Sequence, residues 1–370
     1  MTTISPAVER ETRLVQDFDS GKPAALARAV SIVENHRAGF DRLLSRWQPR
    51  IGRARRIGIT GPPGAGKSTL TTLLARAYRD AGLTVGVVAV DPTSPFTGGA
   101  LLGDRIRMES IALDPGVFIR SMATRGSLGG LAATTREVAD VLDAFGMDRV
   151  LIETVGVGQT ELDIARTADT SLVVLVPESG DSIQTLKAGL MEIADIFAVN
   201  KADRPGADRL RNELELMLGL RNGATLRNVP AHHGVDLRRP MTRDEQMAMN
   251  PGRAARAAAK DENSETWTPP VLRTVAVKAE GIPETVAALD RHFHYLEKSG
   301  TLQRRRRARW RERVVDVVEQ RVRERLWTDA ATGRWLDDQL AALEDGTTNP
   351  FGVADALLER SRNLITRTNE

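Results

Sequence analysis

The chain has 370 residues, 41% apolar and 27% charged, the balance of an ordinary globular protein long enough for one large domain with extensions. Its 52 basic and 49 acidic residues leave a net charge of +3, which gives no bulk argument for nucleic acid or a membrane surface as partner. The absence of cysteine excludes disulfides, thiolate metal sites and cysteine nucleophiles, and no apolar run approaches the roughly 20 residues that span a bilayer.

Residues 1–50 predict a helical extension. Apolar positions recur at three-to-four spacing over 8–18 and 22–47, with a break at Gly21-Lys22-Pro23. Residues 1–10 carry no signal-peptide apolar stretch, so a cytoplasmic location is expected. From about residue 56 to 299 apolar strands alternate with helices. That alternation predicts an α/β domain (51–299) of the P-loop NTPase type, a mostly parallel sheet covered by helices on both faces. Strands are expected at 56–60, 84–90, 117–120, 149–153, 171–176, 196–200 and 271–277, while 221–270 holds only an ambiguous helix near 241–260. His292 and His294 stand two apart in an expected helix and point to different sides, a poor metal pair.

After residue 300 the composition shifts. Arg304, Arg305, Arg306, Arg307, Arg309, Arg311 and Arg313 crowd together, and Val314, Val317, Val318, Val322 and Leu326 then form a helical stripe. Two further helices are expected at 335–343, ending at Gly346, and from Asn349-Pro350 to 365. Three helices over 300–370 cannot bury much surface alone, so this arm is expected to pack on the main domain or on a second copy.

The chemistry-bearing residues begin where the first strand ends. Gly61-Pro62-Pro63-Gly64-Ala65-Gly66-Lys67-Ser68 is a complete G-x-x-x-x-G-K-[ST] loop, followed by Thr69 and by Leu70, Leu73, Leu74 and Ala77 at helical spacing. Its glycines let backbone N–H groups turn around phosphates, Lys67 reaches the terminal phosphates, and the Ser68 hydroxyl ligates Mg²⁺. The helix adds its positive N-terminal end. Asn200-Lys201-Ala202-Asp203, after the apolar run 196–199, is an N-K-x-D motif. Asp203 can accept from the guanine N1–H and exocyclic amine, and adenine offers neither donor, so GTP is preferred over ATP. Lys278 and Ala279, after the last expected strand, complete the nucleotide-binding set.

In Glu153-Thr154-Val155-Gly156 a strand delivers an acid at its carboxyl end, with Glu where ordinary GTPases have Asp. Glu153 is read as the Mg²⁺-side carboxylate and Gly156 as the glycine sensing the γ-phosphate, against a purely structural strand-end acid. Asp91 ends the second strand and Asp104 follows a glycine-rich segment; both are candidates for holding the metal's waters or the attacking water, and Asp104 equally for capping a helix. Arg105, Arg107, Arg125 and Lys187 are candidates for transition-state charge, each weighed against a solvated surface base, with Arg107 and Lys187 placed in the catalytic set. No glutamine follows Gly156 directly, so slow intrinsic hydrolysis accelerated by a partner or dimer is expected.

Taken together, Gly61–Leu70, Ala89-Val90-Asp91-Pro92-Thr93-Ser94-Pro95, Glu153–Gln159 and Asn200–Asp203 resemble the MeaB/ArgK family of P-loop GTPases. Ser179-Gly180-Asp181 through Gly189 and Trp267-x-Pro269-Pro270 fit as well; the resemblance covers roughly 30–330, with 232–266 divergent. It implies a GTPase chaperone of an adenosylcobalamin-dependent acyl-CoA mutase, chiefly methylmalonyl-CoA mutase, gating cofactor loading and protecting the enzyme. Adenosylcobalamin would enter only through that partner. It also implies a homodimer with C-terminal helical arms and a further switch loop at 180–187. The alternatives are a nickel-inserting GTPase, which needs Cys/His ligands, a transport-associated kinase or ATPase, and a nucleic-acid regulator using Arg304–Arg313. That last cluster has no aromatic platform beyond Trp310.

Overall fold

Runs such as Val87-Val88-Ala89 and Leu172-Val173-Val174, buried on both sides, are what a parallel sheet sandwiched between helices requires. The computed structural model describes residues 6–91, 108–123, 130–154, 160–177, 189–221 and 266–362. Among these, seven strands form one sheet: β1 (Arg55–Thr60), β2 (Val85–Asp91), β3 (Val117–Ala123), β4 (Arg149–Thr154), β5 (Thr170–Leu175), β6 (Ile196–Val199) and β7 (Val271–Arg273). Their order is β3-β2-β4-β1-β5-β6-β7 and every pairing is parallel. Each expected strand is present, but the last stops at Arg273 instead of 277. There the chain leaves the sheet edge, forms a 3₁₀ turn at Ala276–Lys278, and passes through Ala279 at φ 57°.

The described helices are α1 (Pro6–Asp19), α2 (Pro23–Glu34), α3 (Phe40–Trp47), α4 (Lys67–Asp80), α5 (Glu109–Ala112), α6 (Gly130–Phe145), α7 (Thr160–Thr167), α8 (Met191–Ile193), α9 (Ala207–Arg221), α10 (Ile282–Lys298), α11 (Thr301–Thr328), α12 (Ala330–Glu344) and α13 (Pro350–Arg360). Strand residues of alternating parity feed the two faces. Ile57, Ile59, Val87 and Leu151 pack with Leu70 and Leu74 of α4 and Leu289 of α10. Val88, Val90, Val150 and Ile152 join Val138 and Leu142 of α6, and that core continues into Leu26 and Val30 of α2 and Leu43 of α3. The expected helix over 22–47 is in fact two. His36 (φ 44°) and Gly39 (φ 88°) take left-handed conformations that a right-handed helix cannot absorb, so the chain turns between α2 and α3.

The amino ends of the strands are pinned by buried ion pairs. Arg56 reaches Asp140 at 2.7 Å and Asp143 at 2.9 Å, and Asp143 also accepts the backbone N–H groups of Gly52, Arg53 and Ala54. The chain divides into two compact units, Met1–Arg305 and Arg306–Glu370, with the boundary inside α11. In the second unit, Asp329 caps α12 by accepting the Thr332 N–H, and Asn349 caps α13 ahead of Pro350. The ambiguous 241–260 helix and the end of the helix expected to reach 365 lie outside the described residues.

Candidate nucleotide-binding site

β1 lies between β4 and β5 in the middle of the sheet; the connection after β1 runs to β2 on one side, while the one after β4 runs to β5 on the other. In an open α/β sheet that is the position where a crevice forms beyond the carboxyl ends of the strands. The loop Gly61–Gly66 leaves β1 into this position and delivers the chain to the N-terminus of α4. Two of its glycines are demanded by space. At Gly61 (φ 138°) a Cβ would run into the Val174 carbonyl oxygen of β5, and at Gly66 (φ 88°) into the Asn200 carboxamide. Pro63, Gly64 and Thr69 are exposed, whereas Ala65, Lys67 and Ser68 are buried. The Lys67 ammonium spans the loop, donating to the carbonyls of Gly61 (2.8 Å) and Pro62 (2.9 Å).

Beside it, Ser68 Oγ donates to Glu153 Oε1 at 2.6 Å, both residues being more than nine-tenths buried. Glu153 pairs in register with Ile59, one residue short of the end of β1, so its carboxylate arrives next to the loop. One step further along the strands, Thr154 Oγ1 donates to Thr60 Oγ1 at 2.8 Å, tying the exits of β4 and β1 together. Adjacency to Glu153 and Gly61 was the sole sequence signal for that pair. Asp91 is the last residue of β2, paired with Ala123. Asp104, Arg105, Arg107, Arg125, Gly156 and Lys187 lie outside the described residues.

The N-K-x-D segment follows β6. Asn200 is 2% exposed and divides its carboxamide between two neighbours. Nδ2 donates to the Ala65 carbonyl (2.8 Å), and Oδ1 accepts from the Ala276 N–H (3.0 Å) and Thr274 Oγ1 (3.2 Å). It therefore joins the phosphate loop to the segment after β7. Lys201 turns through φ 55°, Ala202 N–H bonds the Thr274 carbonyl, and Asp203 is left at the surface. Lys278 stands 3.7 Å from the Asp203 carboxylate, with both side chains more than a third exposed, so the pair is weakly held by screened charge. His292, by contrast, is fully buried at Thr170 (2.8 Å to Oγ1), while His294 is exposed, so neither belongs to this site.

The arrangement collects what nucleoside triphosphate chemistry needs. A backbone cradle with a buried lysine sits at a helix N-terminus, a hydroxyl–carboxylate pair flanks it, and a surface carboxylate is held by the same scaffold. A profile of the family described as methylmalonyl Co-A mutase-associated GTPase MeaB matches residues 26–331. A GTPase of Pyrococcus abyssi is 42% identical over 346 residues, covering 94% of this chain and 95% of that protein. The mouse protein named methylmalonic aciduria type A homolog, mitochondrial, is 30% identical over 364 residues, covering 94% of this chain and 78% of its own length. A crystal structure titled LAO/AO transport system kinase aligns with a TM-score of 0.63 at 27% identity, covering 98% of this chain and all of that one.

Proposed function

Because the chain belongs to the MeaB family of methylmalonyl-CoA mutase-associated GTPases, we propose that it binds GTP at the loop Gly61–Ser68 and hydrolyses it slowly. In that reading hydrolysis gates the loading and protection of an adenosylcobalamin-dependent acyl-CoA mutase. The observation that carries the nucleotide chemistry is the buried Ser68–Glu153 contact beside the loop, which brings a hydroxyl and a carboxylate together over 85 residues of sequence. Two hard oxygen donors suit Mg²⁺, which takes one or two protein ligands and fills its remaining positions with water and phosphate oxygens. Ser68 and Glu153 would hold it, with Asp91 and Asp104 toward its waters; a cation there supplies charge to the β- and γ-phosphate oxygens.

Lys67 would exchange its loop carbonyls for phosphate oxygens, holding the γ-phosphate for in-line attack by water and departure of GDP. Lys187 and Arg107 would add charge from their loops, and Gly156 would report the γ-phosphate to its own. Asp203 would accept the two guanine donors, with Lys201, Lys278 and Ala279 around the base. The family name and the mouse relative's name support the mutase role, and they favour it over the transport-kinase reading suggested by the solved structure's title. Exposed Val314, Val315, Val318 and Trp327 on α11 support a homodimer built on the C-terminal arm. No described helix is long and apolar enough to cross a membrane, and cytoplasmic residence is part of the proposal.

Lys67→Ala should abolish nucleotide binding or turnover, and unchanged GTP hydrolysis would overturn the loop assignment. Asp203→Asn should weaken GTP binding by isothermal titration, and equal affinity would remove the guanine claim. A pull-down with the host's cobalamin-dependent mutase, in GDP and GTP-analogue forms, tests the partner: no capture in either form overturns the chaperone reading while leaving the GTPase standing.

A further inference from the structure

A second concave site lies at the opposite rim of the sheet. One face of α10 carries Asp290, Arg291, His294, Tyr295 and Lys298, and it faces Trp267 across a groove of about 650 Å³. Helical spacing puts 290, 294 and 298 in one row and 291 and 295 in the next. The other face of α10 is buried through Ala288, Leu289, Phe293 and Leu296. Asp290 bonds Arg55, the first residue of β1, at 2.8 Å. The phosphate loop leaves the far end of that six-residue strand, roughly 17 Å away at about 3.3 Å per residue. The groove is therefore separate from the nucleotide site.

Its chemistry is specific. Trp267 and Tyr295 present rings with centroids 5.6 Å apart, inclined at 35°. Trp267 is fixed in place, its indole N–H donating to the Asp195 carbonyl at 2.8 Å and its ring lying 4.7 Å from the buried His292 ring. The acid in the groove, Asp290, is already answered by Arg55, with Arg149 at 3.7 Å. Arg291 and Lys298 on the groove face outnumber that one acid, so the lining carries a positive formal charge. The volume falls within the roughly 300–1,000 Å³ typical of small-molecule sites, and a fixed aromatic wall with cations at its edge favours a flat ring that carries negative charge.

We propose that this groove binds a small ring-bearing anion, a base or other flat ring carrying a phosphate or carboxylate, stacked on Trp267 and Tyr295 with its charge toward Arg291 and Lys298. The ring rather than the anion alone selects the ligand.

Isothermal titration of the full chain carrying one equivalent of GDP, which occupies the phosphate loop and leaves no excess ring-bearing anion for the groove, tests this with four probes. Adenosine monophosphate and indole-3-acetate carry ring and charge, adenosine the ring only, and inorganic phosphate the charge only. At least one ring-bearing anion should bind ten times more tightly than adenosine or phosphate. Arg291→Gln and Lys298→Gln should each weaken it at least threefold, with GDP affinity unchanged. Trp267→Phe, which keeps a ring in place, should retain binding within about threefold. Failure of both ring-bearing anions to bind, phosphate binding as tightly as they do, or indifference to both substitutions would each overturn the proposal. GDP affinity measured in the same protein reports on the GTPase reading independently.

Discussion

Asn200 turns its carboxamide on the protein rather than outward. Its three hydrogen bonds, to Ala65, Ala276 and Thr274, are buried, so Asn200→Ala leaves a carbonyl and an N–H without their partner in the interior. Each such orphan costs about 1–3 kcal/mol. We expect a lower urea midpoint and GDP affinity reduced tenfold or more in isothermal titration; unchanged affinity would mean the loop holds its shape without this anchor. As part of an N-K-x-D motif Asn200 is legible in the sequence, but its role is not, because the loop it braces lies far upstream. The same holds for Ser68 and Glu153. Each sits in a recognisable pattern, yet only the register of β1 against β4 brings the two together.

Among the elements, the strands were the legible part, since β-branched apolar runs buried on both faces leave little choice but a parallel sheet. The turn between α2 and α3 was not. His36 takes its left-handed conformation where its ring stacks on Phe40 at 4.4 Å and its Nε2 meets Glu137 at 2.7 Å, a tertiary contact with no local signature. Close packing of elements gives a sharp test at Gly58 of β1, where a Cβ would meet the Ile164 side chain of α7. Gly58→Ala should cost about 1–3 kcal/mol through overpacking, read as a shifted denaturation midpoint.

Asp195, at the entrance to β6, joins three elements. It accepts from Arg305 at 2.9 and 3.0 Å and from the Ser171 N–H at 2.9 Å, while His292 Nε2 stands 3.3 Å away outside hydrogen-bond alignment, an electrostatic contact. Burial alone would raise this carboxyl's pKa; contact with His292 and Arg305 outweighs it and holds the group below the ordinary carboxylate range. A depressed folded value contributes stability that is complete above the unfolded value near about 3.9 and is lost as pH falls through the folded value. Asp195→Asn should therefore melt lower than wild type at pH 7, with the difference in Tm shrinking below about pH 4. A gap that stays constant down to pH 2 would show that the carboxylate's charge is not what matters.

At the scale of the whole molecule, the helical period of the arm could be read from its valines, whereas the side that ends up covered could not. Val314 is 63% and Val318 53% exposed, while Leu326 further along the same helix is buried. Periodicity identifies a stripe, but which of its residues are covered depends on surfaces distant in sequence. If the proposed homodimer is built on this arm, Val314→Asp with Val318→Asp should leave a monomer in sedimentation velocity without changing GDP affinity. A dimer that survives both charges would move the interface elsewhere.

Lys67, bonded to the carbonyls of Gly61 and Pro62, has a consequence for how ligand affinity is composed. In the proposed site a phosphate arriving at this loop would replace these partners of the ammonium, so the free energy of binding would be a difference between two satisfied states. The lysine is also the loop's internal brace. Its removal should loosen the protein before any nucleotide is added, seen as faster amide hydrogen exchange across residues 61–66 in the Lys67→Ala protein alone.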